Sequence, residues 1–432
     1  MDDTNRTSIR QGILALSPLF VFLLIYILAS LTEGDFYKIP LTVAFLLSSI
    51  YAIAFVAKGS IRKRIDTFSQ GAGSSRMMLM LWIFILAGAF SEVAKSIGAV
   101  DATVALALKV LPPNMIFAAF FLGTCLISIS IGTSVGTIVA LVPIAVGVAE
   151  QTGFDVGFLT AIVVGGAFFG DNLSFISDTT IAATNSLGCK MNDKFKANSF
   201  IVMPAAVVIL LVYIFMGLHH EATLQSGESN IVKVIPYVVV LITAICGMNV
   251  LVVLTIGVFL CGFIGTLLGE QSIVECMRHM GDGILSMSEL IIITMIAGGL
   301  LETIKQCGGI DFIIQRMRQH ISGKRGAELS VAGLVALVNI CTANNTVAII
   351  TVGDIARQIG ENYSVDKRKL ASILDTVSCS IQGILPYGAQ VLMAAGLASV
   401  GPDKIIPNLF YPMAIGVATV LAILIRYPRR YS

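Results

Sequence analysis

Charge is what this 432-residue chain has least of. Asp, Glu, Lys and Arg make up 12% of it, against 56% hydrophobic residues, where a soluble globular domain carries about 25% charged. That deficit excludes an ordinary water-soluble fold. A net charge of only +2 leaves no basic excess to read as a nucleic-acid surface. The eight cysteines fall mostly in apolar stretches and form no CxxC or His/Cys pattern, so neither a disulfide framework nor a zinc site is expected. His219 and His220 are adjacent in a predicted loop and read as surface residues rather than a pH sensor. No Walker motif and no long soluble segment occurs, which excludes ATP-driven pumping. No enzyme activity and no cofactor are expected.

What the chain does have is apolar length. Runs near the ~20 residues needed for a membrane-spanning helix recur from end to end. The first, Gly12 to Leu31, is too long and too weakly flanked for a cleavable signal peptide and reads as a retained anchor.

The runs also repeat. AGAFSEVAKSIGAVD (Ala87 to Asp101) returns as AGGLLETIKQCGGID (Ala297 to Asp311), an offset of 210 with six of fifteen positions identical, where composition predicts about one. Further on, Thr133 and Thr137 in GTSVGTIVAL fall opposite Thr342 and Thr346 in CTANNTVAII at an offset of 209. A span broken around Asn172 is echoed by one around Gln382. Residues 1–220 and 221–432 are therefore read as two transmembrane repeats.

In each half the apolar segments come in the same order. Three spans precede an amphipathic stretch, Asp101 to Leu111 or Gly309 to about Ile321. Two apolar arms joined by a polar hinge follow, then a broken span and a last span. If the hinged arms are re-entrant hairpins, each half crosses five times and the second half is inverted. Lysine and arginine favour that topology. With a cytoplasmic N-terminus, Lys58 to Arg76, Lys190, Lys194, Lys196, Arg316, Arg318, Lys324, Arg325, Lys367 to Lys369 and Arg426 to Arg430 all lie inside. Little more than Lys38, Lys109, Lys233, Arg278 and Lys404 lies outside, a positive-inside bias that survives only if the hairpins do not cross. Both termini are then cytoplasmic.

The chemistry is expected at GDNLSFISDTT (Gly170 to Thr180). A charged side chain at membrane depth costs a few kcal/mol unless it is compensated. Asp171 and Asp178 flank a break whose Asn172, Ser174, Ser177 and Thr179 supply amide and hydroxyl oxygens, ligands suited to a hard cation such as sodium. Taking a carboxylate out of water favours its protonated form, so a proton and a cation can compete for one group. The plainer reading is that Asp178 caps the second half-helix; both can hold. The hinges offer Thr133, Ser134 and Thr137 on one side, and Thr342, Asn344, Asn345 and Thr346 on the other. Helix N-termini there would suit an anionic group; the same oxygens could bind sodium, or only satisfy the hinge backbone. Asp375 has no acidic counterpart in the first half and reads either as a proton site or as a buried partner of Arg357 or Lys369. Asp354 reads as structural, and Glu92/Lys95 with Glu302/Lys305 as local i,i+3 pairs.

GDNLSFISDTT, preceded by GTSVGTIVALVPIAV, resembles the NhaC-type sodium/proton antiporter family, whose characteristic string has the form GDxxSPxSDT. Gly170, Asp171, Ser174, Ser177, Asp178 and Thr179 match, and Phe175 replaces the usual proline. ANNT and LPYGAQ look like one branch of that family. The resemblance implies an inverted-repeat carrier with two hairpins, homodimeric in many members, in the bacterial inner membrane. It implies exchange of internal sodium for external protons, with Asp171 and Asp178 binding both ions competitively. The same family includes carriers of organic solutes, so a sodium- or proton-coupled amino acid or small-carboxylate transporter is the alternative, with Asn344, Asn345 and Thr346 holding the solute. A competing class, an intramembrane aspartyl protease using Asp171 and Asp375, is disfavoured by the repeat and by the missing first glycine of its GxGD motif. A channel is disfavoured because paired broken spans suit alternating access. The expected fold is an all-α polytopic membrane protein, its partners being lipid, sodium and protons.

Overall fold

A single glycine makes the most informative turn of the chain. In the computed structural model, which describes residues 9–33, 40–110, 112–219, 230–318 and 323–431, the helix over Ile116–Ile131 stops because Gly132 adopts φ 74°. That left-handed conformation costs a residue bearing a Cβ about 1–2 kcal/mol. Thr133 is extended, and the next helix begins at Ser134, so two helices meet across a two-residue hinge. Lys38, His220 and the far end of the stretch expected to reach Ile321 lie outside the described residues.

Among the described residues regular structure is helical throughout, with no strand. The first half comprises α1 (Ile9–Glu33), α2 (Leu41–Tyr51, extended by a π-helical turn), α3 (Ile61–Ala72), α4 (Ser75–Ser96) and α5 (Ala99–Val110). It continues with α6 (Ile116–Ile131), α7 (Ser134–Thr152), α8 (Val156–Leu173), α9 (Asp178–Leu187) and α10 (Met191–Leu218). The second half runs α11 (Ile231–Ile245), α12 (Val250–Leu267), α13 (Ile273–Ser286), α14 (Ser288–Gln306) and α15 (Gly309–Arg318). After it come α16 (Gly323–Thr342), α17 (Asn345–Tyr363), α18 (Lys367–Ile384), α19 (Ala389–Ala398), the short α20 (Pro402–Ile405) and α21 (Phe410–Leu424). Among the described residues seven helices, or nine counting two bent pairs as spans, are long and apolar enough to cross a membrane. α7 and α16 are among the seven, so length alone does not distinguish a hairpin arm from a span.

The element order recurs, and so does its backbone chemistry. Gly132, Gly153 and Gly188 close α6, α7 and α9 with φ of 74°, 75° and 61°; Ala343, Ser364 and Ser399 close α16, α17 and α19 with φ of 48°, 52° and 53°. Each pair is 211 positions apart. Asp155 and Asp366 hold the same relation and cap α8 and α18, accepting from the N–H of Phe158 at 2.7 Å and of Arg368 at 2.8 Å. Ser128 Oγ donates to the Ala167 carbonyl and Asn339 Nδ2 to the Ser378 carbonyl, both at 2.7 Å. The structural register from α6 onward is therefore 211. The offset of 209 at the hinges is corrected: Thr133 corresponds to Asn344 and Thr137 to Ala348. Two threonines four residues apart occur in both hinges and align by eye, but the turn preserves backbone φ, not threonine. One pair of positions changes character altogether. Phe117 and Phe158 meet edge-on at 5.0 Å; 211 positions later Glu328 and Lys369 form a buried ion pair at 3.0 Å.

Packing interleaves the halves. α4 lies against α13 and α12, and α14 correspondingly against α3 and α2. The first of these crossings is close because a Cβ on Gly88 would overlap the Gly283 carbonyl oxygen, and the reverse. Small residues are what lets apolar helices approach when lipid is as apolar as their side chains. A second body is built from α6 to α9 and α16 to α19, in which α6 and α7 pack on α8, α16 and α17 on α18, α7 on α19 and α17 on α9. α7 and α8 are buried almost all round, as expected of helices apolar on every face. The amphipathic α3 and α13 were not foreseen from the sequence; each is short and carries exposed apolar residues such as Ile61 and Val274.

Candidate functional site

The α8 helix ends at Leu173 because its last carbonyls are taken by side chains instead of a continuing helix. Ser177 Oγ donates to the Asp171 carbonyl at 2.8 Å and Thr179 Oγ1 to the same oxygen at 3.2 Å. Ser177 Oγ also accepts from the Thr180 N–H at 3.3 Å, so Ser177, not Asp178, caps α9. Ser174 Oγ reaches the Ile129 carbonyl in α6 at 3.1 Å. In the other half Tyr387 Oη does the same job, donating to the carbonyl of Ile340, which lies 211 positions after Ile129, at 2.9 Å. Each break is thus tied to the first arm of its own hinged pair.

Asp171 is 5% exposed, and its Oδ1 accepts from the N–H of Ser134, the first residue of α7, at 3.0 Å. The positive end of a helix is a natural seat for a carboxylate. From there polar contacts run from hinge to hinge. Gln390 Nε2 donates to Ser134 Oγ at 3.1 Å; Gln382 Nε2 donates to Gln390 Oε1 at 3.0 Å and to the Ala343 carbonyl at 3.1 Å. Both hinge tips and both breaks therefore converge. Since the tips meet the middle of the broken elements and not their ends, both hinges stand at the depth of the breaks.

They enclose a cavity of about 280 Å³. Of the residues singled out from sequence, Asp171, Asp178, Thr179, Thr133, Ser134, Asn344, Asn345 and Thr346 line it. Leu79, Met80 and Ile83 of α4 and residues 248–251 form the facing wall, so the cavity lies at the seam between the two bodies. Asn172, Ser174, Ser177, Thr137, Thr342 and Asp375 are not in its lining. Thr137 Oγ1 bonds the Thr133 carbonyl at 2.9 Å and Thr342 Oγ1 the Asn344 carbonyl at 3.2 Å, each inside its own hinge. Gln390 lines the cavity and was missed; its signal was available, because Gln382 and Gln390 repeat the spacing of Asp171 and Thr179.

Asn172 and Asp375 belong to a separate buried cluster. Lys194 of α10, 1% exposed, pairs with Asp375 at 2.9 Å. The partner of Asp375 is thus neither Arg357 nor Lys369: Arg357 pairs with Asp354 at 3.1 Å, on an exposed helix face, and Lys369 with Glu328. Lys194 and Lys369 are both buried within the fold. Asp375 Oδ2 also accepts from Asn172 Nδ2 at 3.1 Å and Asn198 Nδ2 at 2.7 Å, while Tyr411 Oη donates to Asn172 Oδ1 at 2.8 Å.

The cavity shares lining residues with a neighbouring cleft. A cleft of about 780 Å³ shares Leu79, Asp178 and Thr346 with it and runs between α9 and α17 to Asp354 and Arg357. The cleft related to it by the same register, between α19 and α7 and lined by Pro143, Val146 and Gly396, shares no lining residue with the cavity. There Gly396 sits directly against Leu290 and Met287.

Residues 8–218 and 222–427 match the model of the Na+/H+ antiporter family. The chain belongs to that family. It is a multi-pass membrane protein of the transporter class. Among its curated relatives are two Na+/H+ antiporters named NhaC. That of Alkalihalophilus pseudofirmus is 23% identical over 79% of this chain and 80% of the relative. That of Bacillus subtilis is 22% identical over 95% and 97%. A malate-2H+/Na+-lactate antiporter of Bacillus subtilis is 21% identical over 81% of each chain. The family member described here thus shares about four-fifths of its length or more with relatives named for ion exchange alone and with one named for organic acids.

Proposed function

We propose that this protein exchanges sodium for protons across the membrane, Asp171 and Asp178 binding the two ions in turn. The observation that carries this reading is the placement of both carboxylates on one small cavity between the two hinges. Asp171 is buried and held by a helix N-terminus; Asp178 is exposed to the cavity and its cleft. A cation entering from the cleft meets Asp178 first and then Asp171, with Thr179 and the hinge residues Thr133, Ser134, Asn344, Asn345 and Thr346 supplying neutral oxygens. Loss of the cation leaves a carboxylate that a proton neutralises, so one site carries either ion but not both. Membership of the family and the NhaC relatives support sodium and protons as the ions.

In this reading the hinged pairs α6–α7 and α16–α17 are re-entrant hairpins and the halves are inverted, with both termini cytoplasmic. Meeting of the hinge tips with mid-span breaks supports it. The open cleft then faces the cytoplasm, and the state described is inward-facing. The test is sodium-driven proton flux in proteoliposomes, compared with Asp171→Asn and Asp178→Asn. Flux near the wild-type rate in both variants would end the assignment.

One observation favours a second reading. A volume of about 280 Å³ exceeds what one sodium ion fills and approaches the lower range of small-molecule pockets, and one relative is named for malate and lactate. Sodium- or proton-coupled transport of a small carboxylate or amino acid predicts saturable uptake of a labelled solute, reduced most by Asn344→Ala. A pure cation exchanger shows none.

A further inference from the structure

The second buried cluster has the composition of a cation site, and its occupant is a side chain. Lys194 Nζ donates to the Asn172 carbonyl at 2.9 Å, to Thr180 Oγ1 at 2.6 Å and to Asp375 Oδ2 at 2.9 Å. A carbonyl, a hydroxyl and a carboxylate are the ligand types a hard monovalent cation takes. The carbonyl is one that the break in α8 sets free, and the hydroxyl belongs to the first turn of α9, so the ammonium joins the two half-helices. Asp375, from α18, adds the other half of the chain. All three of the ammonium's hydrogens are thereby used.

The symmetry-related positions show what this arrangement adds. At 211 positions from Lys194, Asn198 and Asp375 stand Ile405, Leu409 and Val164, each fully buried. The same place in the second half is an ordinary apolar contact. The fold does not need a charge there. The first half has one, held in an oxygen cage outside the transport cavity.

We propose that Lys194 is a tethered cation: its ammonium occupies a monovalent-cation site at the α8–α9 break and fixes the break from behind. Lys194 is a positioning residue in this scheme. It holds the Asn172 carbonyl, and through it the last turn of α8, so that Asp171 faces the hinges. It also keeps a free ion from taking the cage, which confines exchange to the Asp171/Asp178 cavity.

The test removes the tether and asks whether an ion replaces it. Lys194→Met leaves the oxygen cage with an unmatched carboxylate. The background is Asp171→Asn/Asp178→Asn, which silences the transport cavity and makes the result independent of the antiport reading. In detergent, with sodium chloride compared against choline chloride at equal ionic strength, the background protein should show no sodium-specific change in melting temperature. Adding Lys194→Met should lower the melting temperature in choline and restore several degrees of it in sodium, saturably. Adding Asp375→Asn as well should abolish the sodium response while raising stability in choline, since the unmatched charge is gone. Folding of the Lys194→Met protein only when sodium is present supports the same conclusion. Equal melting in sodium and choline, or no folded protein in either salt, overturns it.

Discussion

Asp171→Asn separates a functional carboxylate from a structural one more sharply than any other change. Asp171 Oδ1 accepts the Ser134 N–H at 3.0 Å, and the amide oxygen of asparagine can accept the same bond. Geometry is therefore kept and only charge is lost. A carboxylate at a helix N-terminus contributes about 0.3–1 kcal/mol, up to ~2 kcal/mol when partly buried. Losing it is offset because a side chain only 5% exposed no longer has to hold a charge away from water. The ion-free variant should thus unfold within about 1 kcal/mol of wild type. Sodium is another matter. At a concentration 100-fold over its dissociation constant it stabilises the protein that binds it by about 2.7 kcal/mol, and the variant should gain none of this. Thermal unfolding in sodium against choline, run beside sodium-driven proton flux, reads both quantities. Asp171→Ala is the poorer experiment. It leaves the buried Ser134 N–H without an acceptor at a cost of about 1–3 kcal/mol, so lost flux there could mean a collapsed hinge. An Asp171→Asn protein that keeps both its flux and its sodium stabilisation within twofold of wild type refutes the role.

The remaining expectations concern the repeat. Glu328→Gln or Lys369→Met should each cost about 3–5 kcal/mol by leaving a buried charge alone, whereas Glu328→Phe/Lys369→Phe, copying Phe117 and Phe158, should be neutral to ~4 kcal/mol stabilising; a double variant less stable than both singles contradicts the symmetry argument. Ala343→Gly should raise stability by about 1 kcal/mol by relieving a positive φ, and Gly132→Ala should lower it by at least as much; equal and opposite signs to these would show that the hinges are not backbone equivalents. Lys190→Cys, in a background without other accessible cysteines, should react with a membrane-impermeant thiol reagent only from the cytoplasmic side. Labelling from outside would exclude the proposed hairpins.

Much of the fold was legible because it is written locally. Apolar runs of spanning length, the loss of that character at Gly170 to Thr180 and the polar hinges at Gly132 and Asn344 are each properties of a few consecutive residues. So is the repeat at Ala87 and Ala297, where helix-surface identities survive. Asp171, Asp178, Thr179 and the hinge residues Thr133, Ser134, Asn344, Asn345 and Thr346, which line the cavity, stood out because polar groups in an apolar stretch need a reason to be there. Gln390 was missed because an amide beside a second-half break lacks the cost that makes a carboxylate conspicuous.

Sequence by itself determined that this chain is helical, built for the membrane, and broken at two places whose polar groups must meet something. Only the tertiary structure decided what they meet. Asn172 and Asp375 were candidates for the ion site, yet they face a different cluster, because helix rotation places them behind the break and not before the hinges. Lys194 reads in the sequence only as one of three neighbouring lysines with Lys190 and Lys196, and its long side chain reaches inward to a carboxylate 181 positions away. The register of 211 escaped alignment because left-handed turns closed by Gly132, Gly153 and Gly188 are closed by Ala343, Ser364 and Ser399 in the other half. A backbone dihedral can be conserved between repeats while the residue that adopts it is not. A partner across the fold is chosen by packing, which no window of neighbouring residues contains.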